Sequence, residues 1–271
     1  MTDMSADDDD EIESSRAPLL DHLIELRTRL VWALGFLLVG VVICFAFVNP
    51  IFLFMAHPFQ MAVAAVHPER AGQAIELINT GTFGFFSVKM QIALFGGIIL
   101  AFPAIAYQAY AFIAPGLYKR ERAAALPFLV SAPIMFLLGG AFVFYVAIPF
   151  ALQFALSQEV TEGAVRVSYV PRIEEYMGLV TTLVLAFGFM FQLPVVLSLL
   201  GRVGMIDAAF LRKGRRYAIV GIAAFSALVT PNDVVSMIVM ALPVYALYEI
   251  SIWIVWLIHK KRDETEADAE A

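Results

Sequence analysis

Long apolar runs separated by short charged clusters dominate the chain. Nearly uncharged stretches run from Val31 to Val48, Met90 to Tyr118, Ala123 to Gln158, Tyr176 to Gly201, Tyr217 to Val229 and Val234 to Ile258, the last interrupted only by Glu249. A helix crossing ~30 Å of hydrocarbon at ~1.5 Å per residue needs ~20 such residues. The pattern predicts an all-α integral membrane protein with six transmembrane helices, at approximately 31–48, 88–113, 124–147, 176–199, 217–230 and 235–257. The fifth and sixth are read as short. The fifth, ended by Thr230-Pro231-Asn232-Asp233, reaches only ~20 Å if fully helical. Pro103, Pro127, Pro133, Pro194 and Pro243 fall inside the runs, where each removes a backbone donor and favours a kink.

Composition strengthens this reading. The chain of 271 residues is 61% hydrophobic and 15% charged, with mean hydropathy +0.81, far from the balance of soluble domains. The net charge of −6 comes largely from the ends. Residues 1–17 and 259–271 are read as acidic cytoplasmic tails, the first disordered, around a membrane domain at 18–258. The single Cys44 excludes an intrachain disulfide and reads as a small core hydrophobe. No basic n-region precedes the first apolar run, so that run is expected to remain as a helix.

Charge also sets direction. Of the 18 Lys and Arg residues, all but Arg70, Lys89, Arg166 and Arg172 fall on the side of the termini when loops alternate. By the positive-inside rule both termini are cytoplasmic. The outer side then carries a long loop at 49–88, a second at 147–175 and the tight TPND turn.

Charge is unusually dense where the first span begins, in PLLDHLIELRTRL (Pro18 to Leu30). Leu19, Leu23, Leu26 and Leu30 follow helical spacing, and Asp21, Glu25 and Arg29 recur every four residues. An interfacial amphipathic helix with internally paired charges explains this stretch. A second reading pairs Glu25 with Glu121 of LYKRER, which the topology puts on the same face. Two carboxylates there could receive two guanidinium groups by bidentate hydrogen bonds. Glu121 could equally pair with Lys119, Arg120 or Arg122.

Polar residues within the spans are costly and tend to face protein or a wet cavity. They are Gln192 near mid-membrane, Asp233 at the outer end of the fifth span, and Glu249, placed near the cytoplasmic boundary. His22, His57, His67 and His259 show no metal-ligand spacing, and no nucleophile motif, P-loop or dinucleotide fingerprint appears. The sequence therefore predicts a protein that is not an enzyme, with no metal, no cofactor and no nucleic-acid partner. Phe-rich stretches such as FGFFS read as lipid-facing aromatics.

HLIELRTRL, YQAYAFIAPGLYKRER, FGFMFQLPV, LRKGRRYAIV and LVTPNDVVS resemble, in order, the motifs of the TatC family, the receptor subunit of the twin-arginine protein translocase. The resemblance implies a protein of the cytoplasmic (inner) membrane that binds twin-arginine signal peptides of folded cargo. It further implies TatA and TatB single-span subunits and other TatC copies as partners in the lipid bilayer, with export driven by the proton-motive force. Carried onto matching positions, Glu25 and Glu121 receive the two arginines, and Arg27, Phe112, Leu117, Tyr118 and Lys119 border the same site. Pro58 matches a proline of the family's first external loop. Gln192 stands where many members carry Glu, and with Asp233 and Glu249 it would contact partners within the membrane. The alternative from another class is a secondary transporter of a small solute, with these three residues lining a midplane path, although no inverted repeat is evident.

Overall fold

In hydrocarbon a backbone survives only with its own peptide groups paired, which for apolar runs of this length means helix. The computed structural model describes the backbone of residues 4–70, 72, 76–79, 81, 83–113, 119–159, 169–230 and 234–270, and their side chains apart from 4–21, 113, 119–126 and 262–270. The helices are α1 (Met4–Ala46), α2 (Val48–Met55), α3 (His57–Val66), α4 (Gly84–Ile113), α5 (Lys119–Phe142), α6 (Ile148–Leu156), α7 (Ile173–Met190), α8 (Leu193–Arg202), α9 (Ala208–Val229) and α10 (Val234–Glu270). Among the described residues there is no strand, only an isolated bridge between Ile78 and Arg172.

Among the described residues, six helical stretches are long and apolar enough to cross a membrane: His22–Ala46, Val48–Val66, Gly84–Phe112, Pro127–Leu156, Ile173–Arg202 and Val234–Lys261. This set differs from the sequence reading in two places. Val48–Val66 falls in the expected first outer loop, and α9 is missing because Arg212, Lys213, Arg215 and Arg216 load its first turns. The last stretch, with 28 residues, is longer than the short sixth span expected.

The stretch Val48–Val66 is broken between α2 and α3, and several of its contacts lie at the end of the bundle where α4 and α7 begin. Phe52 meets Phe85 at the start of α4, the Tyr176 hydroxyl at the start of α7 donates to the Met55 carbonyl at 2.8 Å, and Phe59 packs on Tyr176. Pro58, buried in the first turn of α3, leaves no donor unsatisfied there. Beyond α3, both ring nitrogens of His67 face carboxylates, Glu69 at 3.3 Å and Glu159 at 3.0 Å. Glu159 also lies 3.6 Å from Arg70 and accepts the Tyr169 amide at 2.8 Å. Charged contacts thus tie the segments after α3 and α6 together.

α1 runs antiparallel to α4, because Gly40 faces Gly97 while Cys44 faces Gly96. The helices meet backbone to backbone. A Cβ on Gly97 would lie 2.6 Å from Val41 Cγ2 and 2.8 Å from the Val41 nitrogen, whereas one on Gly35 would meet nothing within 4 Å. Gly97→Leu is therefore expected to lower stability by about 1–3 kcal/mol through overpacking, read as a reduced unfolding midpoint in detergent. Gly35→Leu should leave the midpoint nearly unchanged.

The core lies where α4, α5 and α7 converge, around the fully buried Ile92, Phe136, Met177 and Leu183. Phe102 of α4 stacks on Phe136 of α5 at 3.9 Å. Gln91 of α4 donates to Thr181 Oγ1 of α7 at 2.7 Å, a paired polar contact inside an apolar bundle. After α5 the chain widens into a π-helical segment, Val143–Ala147. Pro149 follows at once and cannot supply the next helical donors in register.

Helix runs through both acidic ends, from Met4 in α1 and to Glu270 in α10. Extending a formed helix needs no new nucleus, and at the start of α1 the acidic residues also suit the helix N-terminus.

Candidate functional site

The α1–α4 register brings the charged entry of α1 against the last turns of α4. Glu25 Oε1 lies 3.3 Å from Arg29 Nη2, the i,i+4 pair expected from spacing. Arg29 Nη1 in turn donates to Gln108 Oε1 of α4 at 3.4 Å. One turn further along each helix, the His22 ring stacks on Phe112 with centroids 4.3 Å apart. Glu25 is thus held on a polar and aromatic seam between two helices.

The seam leaves chemistry available. Glu25 is 30% exposed, and among the described residues only Arg29 contacts it, at one oxygen. The second oxygen can accept a further donor. Arg27, expected beside Glu25, points outward and is exposed; Arg29, one helical turn from Glu25, takes that position. The helical period of 3.6 is the cause, since i and i+2 point apart.

α4 ends at Ile113 and α5 begins at Lys119, so α5 starts at the same end of the bundle as Glu25. Glu121 and Lys119 lie in α5 with side chains outside the described set, and Leu117 and Tyr118 lie outside the described residues altogether. Asp233 is also outside them. No group of three or more His, Cys, Asp or Glu suited to a metal occurs among the described residues.

The model of the family described as Sec-independent protein translocase protein (TatC) matches residues 21–243. The chain belongs to the TatC family. A Sec-independent protein translocase protein TatC of Magnetococcus marinus is 38% identical over 256 residues, covering 94% of this chain and 90% of that protein. Its namesake in Desulforapulum autotrophicum is 35% identical over 257 residues, covering 95% and 91%. A crystal structure of a twin arginine translocase receptor, TatC, aligns with TM-score 0.75 at 34% identity and covers 88% of this chain and 99% of that one. Six apolar helical stretches and TatC membership together make this a multi-pass membrane protein of a protein-translocase family.

Two further polar positions link neighbouring helices of this TatC chain. Gln192 sits in the break between α7 and α8, where Pro194 cannot donate a backbone hydrogen bond. Its Nε2 donates to the Ala132 carbonyl of α5 at 2.9 Å, so the amide bridges the kink to a neighbouring helix. Glu249 is bound from both oxygens: Arg215 of α9 reaches Oε2 at 2.7 Å and the Tyr245 hydroxyl donates to Oε1 at 2.9 Å. It lies ~18 Å of helix rise before Lys261, where α9 supplies its counter-charge.

Gln108 was not singled out by the sequence reading. It is buried, and its signal was an amide in an apolar run four residues before Phe112. Such a pair shares a helix face, but the partner, Arg29, stands 79 positions earlier.

Proposed function

We propose that this chain is the receptor and core subunit of a twin-arginine translocase, binding twin-arginine signal peptides and, with TatA- and TatB-type partners and further copies of itself, exporting folded proteins at the expense of the proton-motive force. The observation that carries the reading is Glu25, a partly exposed carboxylate with one oxygen open, held against α4 at the end of the bundle where α5 begins. Family membership across residues 21–243 supports the same assignment and gives the solute-transporter alternative no support.

In this reading the Glu25 end faces the cytoplasm, as the distribution of Lys and Arg argues. Glu25 takes one guanidinium of the peptide and Glu121 the other, with Phe112, Leu117, Tyr118 and Lys119 around them and Arg27 at the rim. α1, α4, α5, α7–α8, α9 and α10 cross the bilayer, and α2, α3 and α6 cap the outer ends. The short apolar part of α9, Tyr217 to Val229, is flanked by basic turns that stay at the inner interface. Asp233, Gln192 and Glu249 would then face partner helices or the bilayer interior.

Deleting the gene and following two folded reporters tests the proposal. One reporter carries an S-R-R-x-F-L-K leader and the other K-K in place of R-R. The expected result is loss of export of the first alone. Continued export of the first reporter would overturn the assignment.

A further inference from the structure

The seam that holds Glu25 already contains a guanidinium of the chain's own. Arg29 spans two acceptors, Glu25 Oε1 on its own helix at 3.3 Å through Nη2 and Gln108 Oε1 on α4 at 3.4 Å through Nη1. A guanidinium carries donors only, so the Gln108 amide turns its oxygen toward it. Gln108 is buried, at 9% exposure, whereas the Arg29 side chain is 34% exposed. The amide is the fixed anchor and the cation the movable part.

The hold on Arg29 is loose. Both contacts are longer than the ~2.7–3.2 Å of an ordinary N–H···O bond, and Arg29 touches Glu25 at one oxygen, without the parallel fork that makes arginine–carboxylate pairs strong. An incoming arginine offers that fork, takes both oxygens and leaves Arg29 on Gln108, still paired. An incoming lysine offers a point charge with no fork. It reaches the open oxygen alone and stands beside Arg29, so that two cations crowd one carboxylate.

With Glu25 as the receptor carboxylate of the proposed function, we propose that Arg29 is a specificity-determining residue, an internal guanidinium that a peptide arginine displaces and a peptide lysine does not. Gln108 is the positioning residue on which the displaced Arg29 rests. The device is repulsive: lysine is refused by a charge already in the site, and arginine is accepted because it makes the better exchange. Helical spacing fixes Arg29 beside Glu25, and the close contact of Gly40 with Gly97 sets the register that brings Gln108 within reach.

The test uses the full chain in membrane vesicles, photo-crosslinked to a titrated S-R-R-x-F-L-K leader peptide and to its K-K counterpart. The parent protein should prefer the R-R peptide. Arg29→Gln should narrow that preference about fivefold, chiefly by raising K-K crosslinking; the factor corresponds to ~1 kcal/mol, the upper end for a partly exposed ion pair. Gln108→Leu should weaken R-R crosslinking about fivefold, because Arg29 loses its resting place and holds Glu25 instead. The double variant should recover R-R crosslinking, since no cation is left to displace.

An unchanged ratio of R-R to K-K crosslinking in Arg29→Gln overturns the proposal, because removal of one charge by itself strengthens both peptides alike. So does an equal loss in Gln108→Leu and in the double variant, which would give Gln108 a packing role only. Absence of any R-R preference in the parent protein is a different failure: it removes the receptor reading of Glu25, and the role of Arg29 with it.

Discussion

Glu25→Ala is expected to reduce photo-crosslinking of a twin-arginine peptide by one to two orders of magnitude. A charge-assisted hydrogen bond to a guanidinium is worth about 1.5–3 kcal/mol, and about 1.4 kcal/mol is a tenfold change in affinity. The substitution also frees Arg29, now 3.3 Å from Glu25, as an uncompensated cation that repels the incoming arginines. Both effects act in the same direction. Glu25→Gln should fall between, since the amide keeps an acceptor but loses the charge. Asp21→Ala and Arg27→Ala should change crosslinking by less than threefold. If Asp21→Ala weakens crosslinking as much as Glu25→Ala, the seam carries no special site and the amphipathic-helix explanation suffices.

Arg215→Ala is expected to destabilise the protein more than loss of any exposed cation. It leaves Glu249, 24% exposed in the protein, without its counter-charge inside an apolar helix. An unpaired charge within a membrane segment costs about 2.5–3.5 kcal/mol on insertion scales. The unfolding midpoint in detergent should fall accordingly, with Glu249→Gln alone milder because Arg215 can reach the interface by snorkelling. The double variant Arg215→Ala with Glu249→Gln should recover most of the loss, the signature of a coupled pair. Strict additivity of the two single effects would refute coupling.

The apolar cores of the crossing helices were legible because hydrocarbon forbids unpaired backbone and so forces helix on long apolar runs. Their number and composition were less so. Residues Val48–Val66 are apolar enough to cross, yet Met55 and Phe59 are tied to Tyr176 at one end of the bundle. α9 fails the apolar criterion, yet it packs along α10, where the Tyr248 hydroxyl donates to the Leu211 carbonyl at 2.8 Å. Hydropathy reports what a segment can tolerate, and packing decides where it sits.

The site divides along the same line. Local spacing alone joined Glu25 to Arg29, since i,i+4 geometry belongs to any helix. It could not choose Gln108 or Phe112 as neighbours, because these depend on the register of α1 on α4, set by the contact of Gly40 with Gly97. Nor could it show that Glu249 is answered by Arg215, 34 residues away. The sequence by itself determined the membrane class, the helical content and the carboxylate at the head of α1, all consequences of short-range chemistry. Only the tertiary structure decided which helix faces meet, because that choice rests on close packing and charge pairing between residues distant in the chain.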